Sequence, residues 1–223
     1  MMKVLIFNGG PRRKGATAEV LHRIETALKD SGVEVEFFDL GNIEMSHCTG
    51  CCSCYRTGVC YLQDDAEILS QKIGEADGIV MGSPTYASNV SGLMKDFIDR
   101  GHFVIEQLLT GKPCITVVTG ENYGNRSARK VLDNLVLYSG GKLCDRILLK
   151  IPFNGISGME KEVSGKIRKA SVRMIRELRG KKKHPVQCIF HSIIYYLGIR
   201  PFVMKKGEVY SGVIRKWKER GIL

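Results

Sequence analysis

The stretch Lys3-Val4-Leu5-Ile6-Phe7-Asn8-Gly9-Gly10-Pro11-Arg12-Arg13-Lys14-Gly15-Ala16-Thr17 decides the fold. A short apolar run ends in a glycine pair, so residues 3–7 read as a buried strand. From Thr17, the apolar residues Val20, Leu21, Ile24, Ala27 and Leu28 recur at three- and four-residue steps, and Gly32 stops them. That is the pattern of a helix with one apolar face. Residues 33–40 read as a second strand. Strand, helix and strand in this order imply a parallel pair joined by a right-handed crossover.

The alternation continues outward. Residues 65–76, 92–105, 125–139 and 160–178 carry helical patterns, and 78–82, 113–119 and 143–151 read as strands. Five strands alternating with helices predict an α/β fold: a doubly wound five-stranded parallel sheet with helices on both faces. Ligands of such sheets sit beyond the carboxyl ends of the strands, where the strand order reverses, so function belongs in the loops found there.

A chain of 223 residues accommodates one such domain with an appendage: residues 1–180 as the domain, and 181–223 as an extension packing on it or on a second subunit. The apolar fraction of 43% and charged fraction of 26% suit a globular protein and select no function. The amino terminus has no apolar core of signal-peptide length, and the sequence reading finds no membrane-spanning segment, which places the protein in the cytoplasm. In that reducing compartment eight cysteines read as free thiols, metal ligands or redox groups.

The net charge of +11 lies largely late in the chain, including Lys181-Lys182-Lys183, and reads as a solvated helix face and basic tail. No nucleic-acid motif accompanies it, so no nucleic acid is expected. The apolar group Ile189, Phe190, Ile193, Ile194, Tyr195, Tyr196 and Leu197 has helical spacing and needs a surface to cover.

The loop from Asn8 to Thr17 has the chemistry of a phosphate cradle. Its glycines let the backbone approach an anion, the following helix offers N–H groups, and Thr17 adds a hydroxyl. Gly10 and Gly15 have the spacing of a triphosphate-binding loop, but Ala16 stands where that loop needs lysine. The glycine pattern of a dinucleotide turn is missing too, so a single terminal phosphate fits best.

Gly9 to Thr17, with Gly82-Ser83-Pro84-Thr85-Tyr86 and Leu93-Met94-Lys95-Asp96-Phe97-Ile98-Asp99-Arg100, resembles the NADPH-dependent FMN reductase family of the flavodoxin-like superfamily. The resemblance spans residues 3–150 and implies that Gly9, Gly10, Pro11, Arg12, Arg13, Gly15 and Thr17 meet the FMN phosphate. Ser83, Pro84, Thr85, Tyr86, Ala87, Ser88 and Asn89 would then border the isoalloxazine ring. That family commonly has serine where Gly10 stands and asparagine where Ala16 stands, which leaves backbone amides and positive charge to hold the phosphate. Thr119, Gly120, Tyr123 and Gly124 follow the fourth strand to the same edge, where backbone N–H groups can face the flavin's pyrimidine side. The resemblance also implies a homodimer or homotetramer, because relatives complete the flavin pocket across a subunit contact.

Cys48, Cys51, Cys54 and Cys60 form C-x2-C-x2-C-x5-C, with Cys52 as an extra thiol. Two-residue gaps let thiolates of one loop converge on a centre, as iron-sulfur clusters require. Structural zinc usually takes two separated C-x-x-C pairs. A cluster, reduced thiols or a redox pair, and zinc all stay open on the residues alone. The spacing resembles that of iron-sulfur flavoproteins, which carry a four-iron four-sulfur cluster near FMN. His47 adjoins the motif as a bystander, and no histidine falls in a catalytic pattern.

The expected function is an FMN-dependent oxidoreductase taking electrons from NAD(P)H to a small-molecule or protein acceptor. No catalytic side chain is nominated, because flavin hydride transfer depends on stacking and electrostatics around the ring. The rivals are a non-enzymatic electron carrier and a basic regulatory or nucleic-acid-binding flavoprotein.

Overall fold

The computed structural model describes residues 1–152, 155–180 and 184–223; the Lys181-Lys182-Lys183 run of the sequence reading lies outside them. β1 (Lys3–Asn8) leads into α1 (Ala16–Lys29) and β2 (Glu34–Asp39). The segment beyond β2 carries the short α2 (Ser53–Thr57), then α3 (Ala66–Glu75). β3 (Gly78–Tyr86), β4 (Asn89–Val90), α4 (Gly92–Arg100) and α5 (Phe103–Glu106) follow. β5 (Pro113–Gly120), α6 (Asn125–Tyr138), β6 (Lys142–Lys150) and α7 (Glu160–Leu178) complete the alternation.

The five long strands pair in parallel in the order β2-β1-β3-β5-β6. From β1 the chain crosses to β2 on one side and then returns to β3 on the other, so the order reverses beside β1. This is the flavodoxin-like order, and it puts the ligand crevice at the carboxyl ends of β1 and β3. Val4 to Phe7 are fully buried because α1 and α7 cover one face of the sheet and α3, α4 and α6 the other. Two apolar layers result, one around Leu21, Ile24 and Met174, the other around Phe97, Leu132 and Val136. Buried on both faces, the central strands β1, β3 and β5 read as near-continuous apolar runs.

Three expectations need correction. The third strand does not end at residue 82 but runs to Tyr86, because Thr85 and Tyr86 pair with Val90 and Asn89 of β4. Ala87 (φ 46°) and Ser88 (φ 61°) form the two-residue turn of this hairpin, so Ser83 to Tyr86 are strand residues and not a loop. The helix read over 92–105 breaks after Arg100. His102 enters the left-handed region (φ 50°), and a Cβ at Gly101 would lie 2.2 Å from the Phe103 ring, so the chain turns there to bury Phe103.

The third concerns the extension. α8 (Pro185–Ile194), a π-helical turn (Tyr195–Ile199), α9 (Arg200–Lys206) and α10 (Ser211–Glu219) follow one another. Together Pro185–Glu219 form a helical run long and apolar enough to cross a membrane by length and composition. The sequence reading missed its length because Gly198, Pro201 and Gly207 interrupt the apolar pattern. Parts of the run dock on the α/β layers. Gln187 pairs with both backbone groups of Leu143, at 2.8 and 3.1 Å, and the His191 ring hydrogen-bonds Gln107 at 2.6 Å. Trp217 is fully buried with Tyr195, Val203, Tyr210 and Val213 in a third apolar cluster that also takes in Tyr55 and Ile105.

Candidate functional site

At the carboxyl edge of the sheet, the loops after β1, β5 and β6 and the end of β3 enclose a cavity of about 480 Å³. Its walls include Gly10, Pro11, Arg12, Lys14, Gly15, Ala16 and Thr17, then Pro84, Thr85 and Tyr86, then residues 119–123 and Asn125. The volume falls in the range of small-molecule and cofactor sites.

Each wall has a local cause. The β1 turn is held by Gly9, whose N–H donates to Gly82 O at 2.7 Å and whose carbonyl accepts from Ser91 Oγ at 2.6 Å. The Gly10 N–H donates to Asn8 Oδ1 at 2.9 Å, and Asn8 Nδ2 donates to Asp39 at 2.7 Å, locking the turn to β2. Gly15 is the N-cap of α1 and brings no side-chain cap, and Gly15, Ala16 and Thr17 of this helix start line the cavity. A helix start of this kind favours an anion. Thr17 and Thr119 share a buried hydrogen bond at 2.6 Å, which ties the start of α1 to the end of β5. A Cβ at Gly120 would lie 2.2 Å from Asn125 Oδ1, so glycine lets the β5 loop close against α6.

The sequence-derived residues divide into two groups. Gly10, Pro11, Arg12, Gly15, Thr17, Pro84, Thr85, Tyr86, Thr119, Gly120 and Tyr123 line the cavity together. Gly9 and Ser83 are buried behind it; Ser83 Oγ accepts from Ser91 N–H at 2.9 Å and supports the hairpin. Arg13 turns away to donate to Asn42 at 2.6 Å. Ala87, Ser88 and Asn89 form the hairpin tip outside the walls, with Gly124 close against Ser88. Asn125, Ile151, Pro152 and Gly155 line the cavity and were not singled out from sequence. The rule that ligands lie beyond strand ends could have found the three that follow β6.

Two observations test whether FMN fits. Thr85 Oγ1 and Asn125 Oδ1, both on wall residues, are buried without a hydrogen-bond partner among the described residues. Tyr86 and Tyr123 are 47% and 86% exposed at the rim. Unsatisfied polar atoms in the wall and bare aromatic faces at the mouth suit a flat, polar-edged ring with a phosphate tail. The residues present fit the group.

The cysteine segment follows β2. Cys48 and Cys51 are exposed, while Cys54 and Cys60 are half-buried. Burial, reinforced by the neighbouring Cys60, pushes the Cys54 thiol up to about 12. Arg100, only 1% exposed, closes the base of the segment. It donates to Ser46 O at 2.6 Å, to both Asp64 oxygens at 2.7 Å, and to Cys60 Sγ at 3.5 Å. Burial opposes the Asp64 charge, but the Arg100 hydrogen bonds override it and hold the carboxyl below its usual value. His47, called a bystander above, hydrogen-bonds Asp96 on α4 at 2.6 Å, and this contact raises its imidazole above the usual value.

No three Cys, His, Asp or Glu side chains among the described residues stand in a metal-holding group. The donor set nevertheless suits iron-sulfur chemistry: four thiols on one segment, cinched at its base, with a cationic donor on one sulfur. Arg100 ends the helix motif of residues 93–100, and nothing in its own stretch of sequence announces that it reaches a cysteine.

The chain is 40% identical over 228 residues to an iron-sulfur flavoprotein of Clostridioides difficile, covering 100% of both. It is 38% identical over 99 residues to an iron-sulfur flavoprotein of Methanocaldococcus jannaschii, covering 44% of this chain and 51% of that one. Among solved structures, an NAD(P)H:quinone oxidoreductase from Methanothermobacter marburgensis superposes with a TM-score of 0.62 at 18% identity, over 82% of this chain and 98% of that one. A flavone reductase superposes with a TM-score of 0.65 at 20% identity, over 82% and 66%. A family model described as NADPH-dependent FMN reductase matches residues 2–147. The chain belongs to the NADPH-dependent FMN reductase family.

Proposed function

We propose that this chain is an oxidoreductase that binds FMN in the sheet-edge cavity and uses it to pass electrons from NAD(P)H to a small-molecule or protein acceptor. The observation that carries this reading is the convergence of an uncapped helix start, two orphaned polar atoms and two bare tyrosines on one cavity. FMN supplies there a ring that accepts hydride and returns electrons. The chain's own residues bind and orient it. Arg12, Lys14 and the α1 amides meet the phosphate, Tyr86 and Tyr123 flank the ring, and the β5 loop presents backbone N–H groups to its polar edge.

Cys48, Cys51, Cys54 and Cys60 would hold a four-iron four-sulfur cluster, which supplies one-electron chemistry when bound. The proposal includes a homodimer or homotetramer, supported by the exposed apolar residues Ile189, Ile193, Tyr196 and Leu197. The eight free cysteines favour a cytoplasmic setting.

Equilibrium binding of FMN tests the phosphate assignment. Arg12→Ala is expected to weaken FMN by about 10- to 100-fold, the worth of one charge-assisted contact. Arg13→Ala, whose side chain is tied to Asn42, is expected to change it by less than about threefold. Equal losses at the two positions would contradict the cavity as the phosphate site.

A further inference from the structure

α2 carries Cys54 in its first turn, and Gly58 ends the helix in the left-handed region (φ 83°), sending the chain on to Cys60. That turn is where the carboxyl-terminal extension arrives. Gly212 of α10 lies so close that a Cβ there would stand 2.1 Å from the Gly58 nitrogen and 2.7 Å from the Thr57 carbonyl carbon. These are backbone atoms, which cannot rotate aside. Ser211 Oγ donates to Arg56 O at 2.8 Å, and Arg215 Nη2 donates to Thr57 O at 2.6 Å, satisfying two carbonyls at the end of α2. The Tyr55 and Tyr210 rings stack at 4.8 Å.

α10 is itself fixed to the α/β layers at a separate point. Trp217 Nε1 donates to Ile105 O at 3.0 Å, and Lys216 and Arg220 reach the buried Glu106 at 2.9 and 3.3 Å. Burial opposes the Glu106 charge, and His102 and Lys216 restore it. One end of α10 is therefore anchored in the domain and the other grips the cysteine segment.

We propose that α10 is a positioning clamp for the cysteine segment, with Gly212, Ser211 and Arg215 setting the placement of Cys54 relative to Cys60 so that the segment can accept a cluster. This rests on the reading of the four cysteines as ligands. The clamp residues are outside the FMN cavity, so the two sites separate experimentally. Glycine is disfavoured within a helix, and at Gly212 its lack of a side chain is what admits the α2 turn.

The test uses full-length protein carrying Gly212→Val or, should that variant not fold, the pair Ser211→Ala and Arg215→Ala, which removes the hydrogen bonds without a clash. In metal-free wild type, iodoacetamide is expected to modify exposed Cys51 quickly and half-buried Cys54 slowly. In the variants Cys54 is expected to react about tenfold faster, as its burial is lost. After anaerobic incubation with ferrous iron and sulfide, the variants are expected to retain under about half the wild-type iron, with unchanged FMN content. Unchanged Cys54 reactivity in a folded variant overturns the clamp, as does faster alkylation with undiminished iron uptake. Wild type that takes up no iron refutes the cluster reading instead; the alkylation rates then decide the clamp alone, faster for it and unchanged against it.

Discussion

Arg100→Met is expected to destabilise the folded chain by about 3–5 kcal/mol, the cost of removing one partner from a buried ion pair. The Arg100 side chain is 1% exposed and Asp64 9%, so loss of the guanidinium strands a carboxylate in a poorly hydrated site. It also leaves the Ser46 carbonyl and the Cys60 sulfur without their donor. Lysine should rescue little, because three separate acceptors need the planar fork. The pH dependence has a definite sign. Burial alone would raise the Asp64 carboxyl, but Arg100 holds it below its ordinary 3.8. A depressed folded-state value adds stability that is present above the unfolded value and lost as pH falls through the folded one. The gap between wild type and Arg100→Met should therefore be full at neutral pH and shrink in acid below about pH 4. Urea unfolding at neutral and acid pH measures both effects. A neutral-pH loss under about 1 kcal/mol, the range of an exposed pair, would show that Arg100 does not cinch the cysteine segment.

Trp217→Ala carries the second large effect, a loss of about 3–5 kcal/mol for a fully buried ring. Its side chain is 0% exposed, packs edge-on against Tyr195 at 5.4 Å and donates to Ile105 O. The vacated space would lie between α10 and the layers beneath, leaving Glu106, the α2 turn and the rest of the apolar cluster to hold the helix. The loss is expected as local opening of the extension before the sheet unfolds. Hydrogen exchange measures this directly: amides of α10 should lose protection while those of β1 and β5 keep theirs. Equal loss in the extension and the sheet would mean that the extension is not a separately opening unit.

The layered fold was legible because central strands buried on both faces leave continuous apolar runs, and their helices leave three- and four-residue periodicities. Glu160–Leu178 was read with both ends correct, since Val163, Ile167, Ala170 and Met174, which it buries on the sheet, keep helical spacing along it. The β3–β4 hairpin was missed because Ala87 and Ser88 adopt positive φ without the Asn-Gly signal that marks such turns. The break after Arg100 was missed because it depends on where Phe103 is buried, a tertiary contact that periodicity does not encode. The phosphate loop could be read as a cradle from composition, but not that Arg13 leaves it for Asn42. The link from Arg100 to Cys60 joins positions 40 residues apart and exists only once α4 and the cysteine segment are packed.

On the proposed function, the sheet-edge cavity holds FMN where reduced nicotinamide can reach it. Rapid mixing of FMN-loaded protein with NADPH or NADH without oxygen tests it most directly. The visible flavin absorption is expected to bleach to completion with about one equivalent of at least one of the two, as a single hydride transfer requires. A flavin band that neither nicotinamide bleaches, though dithionite does, would contradict it.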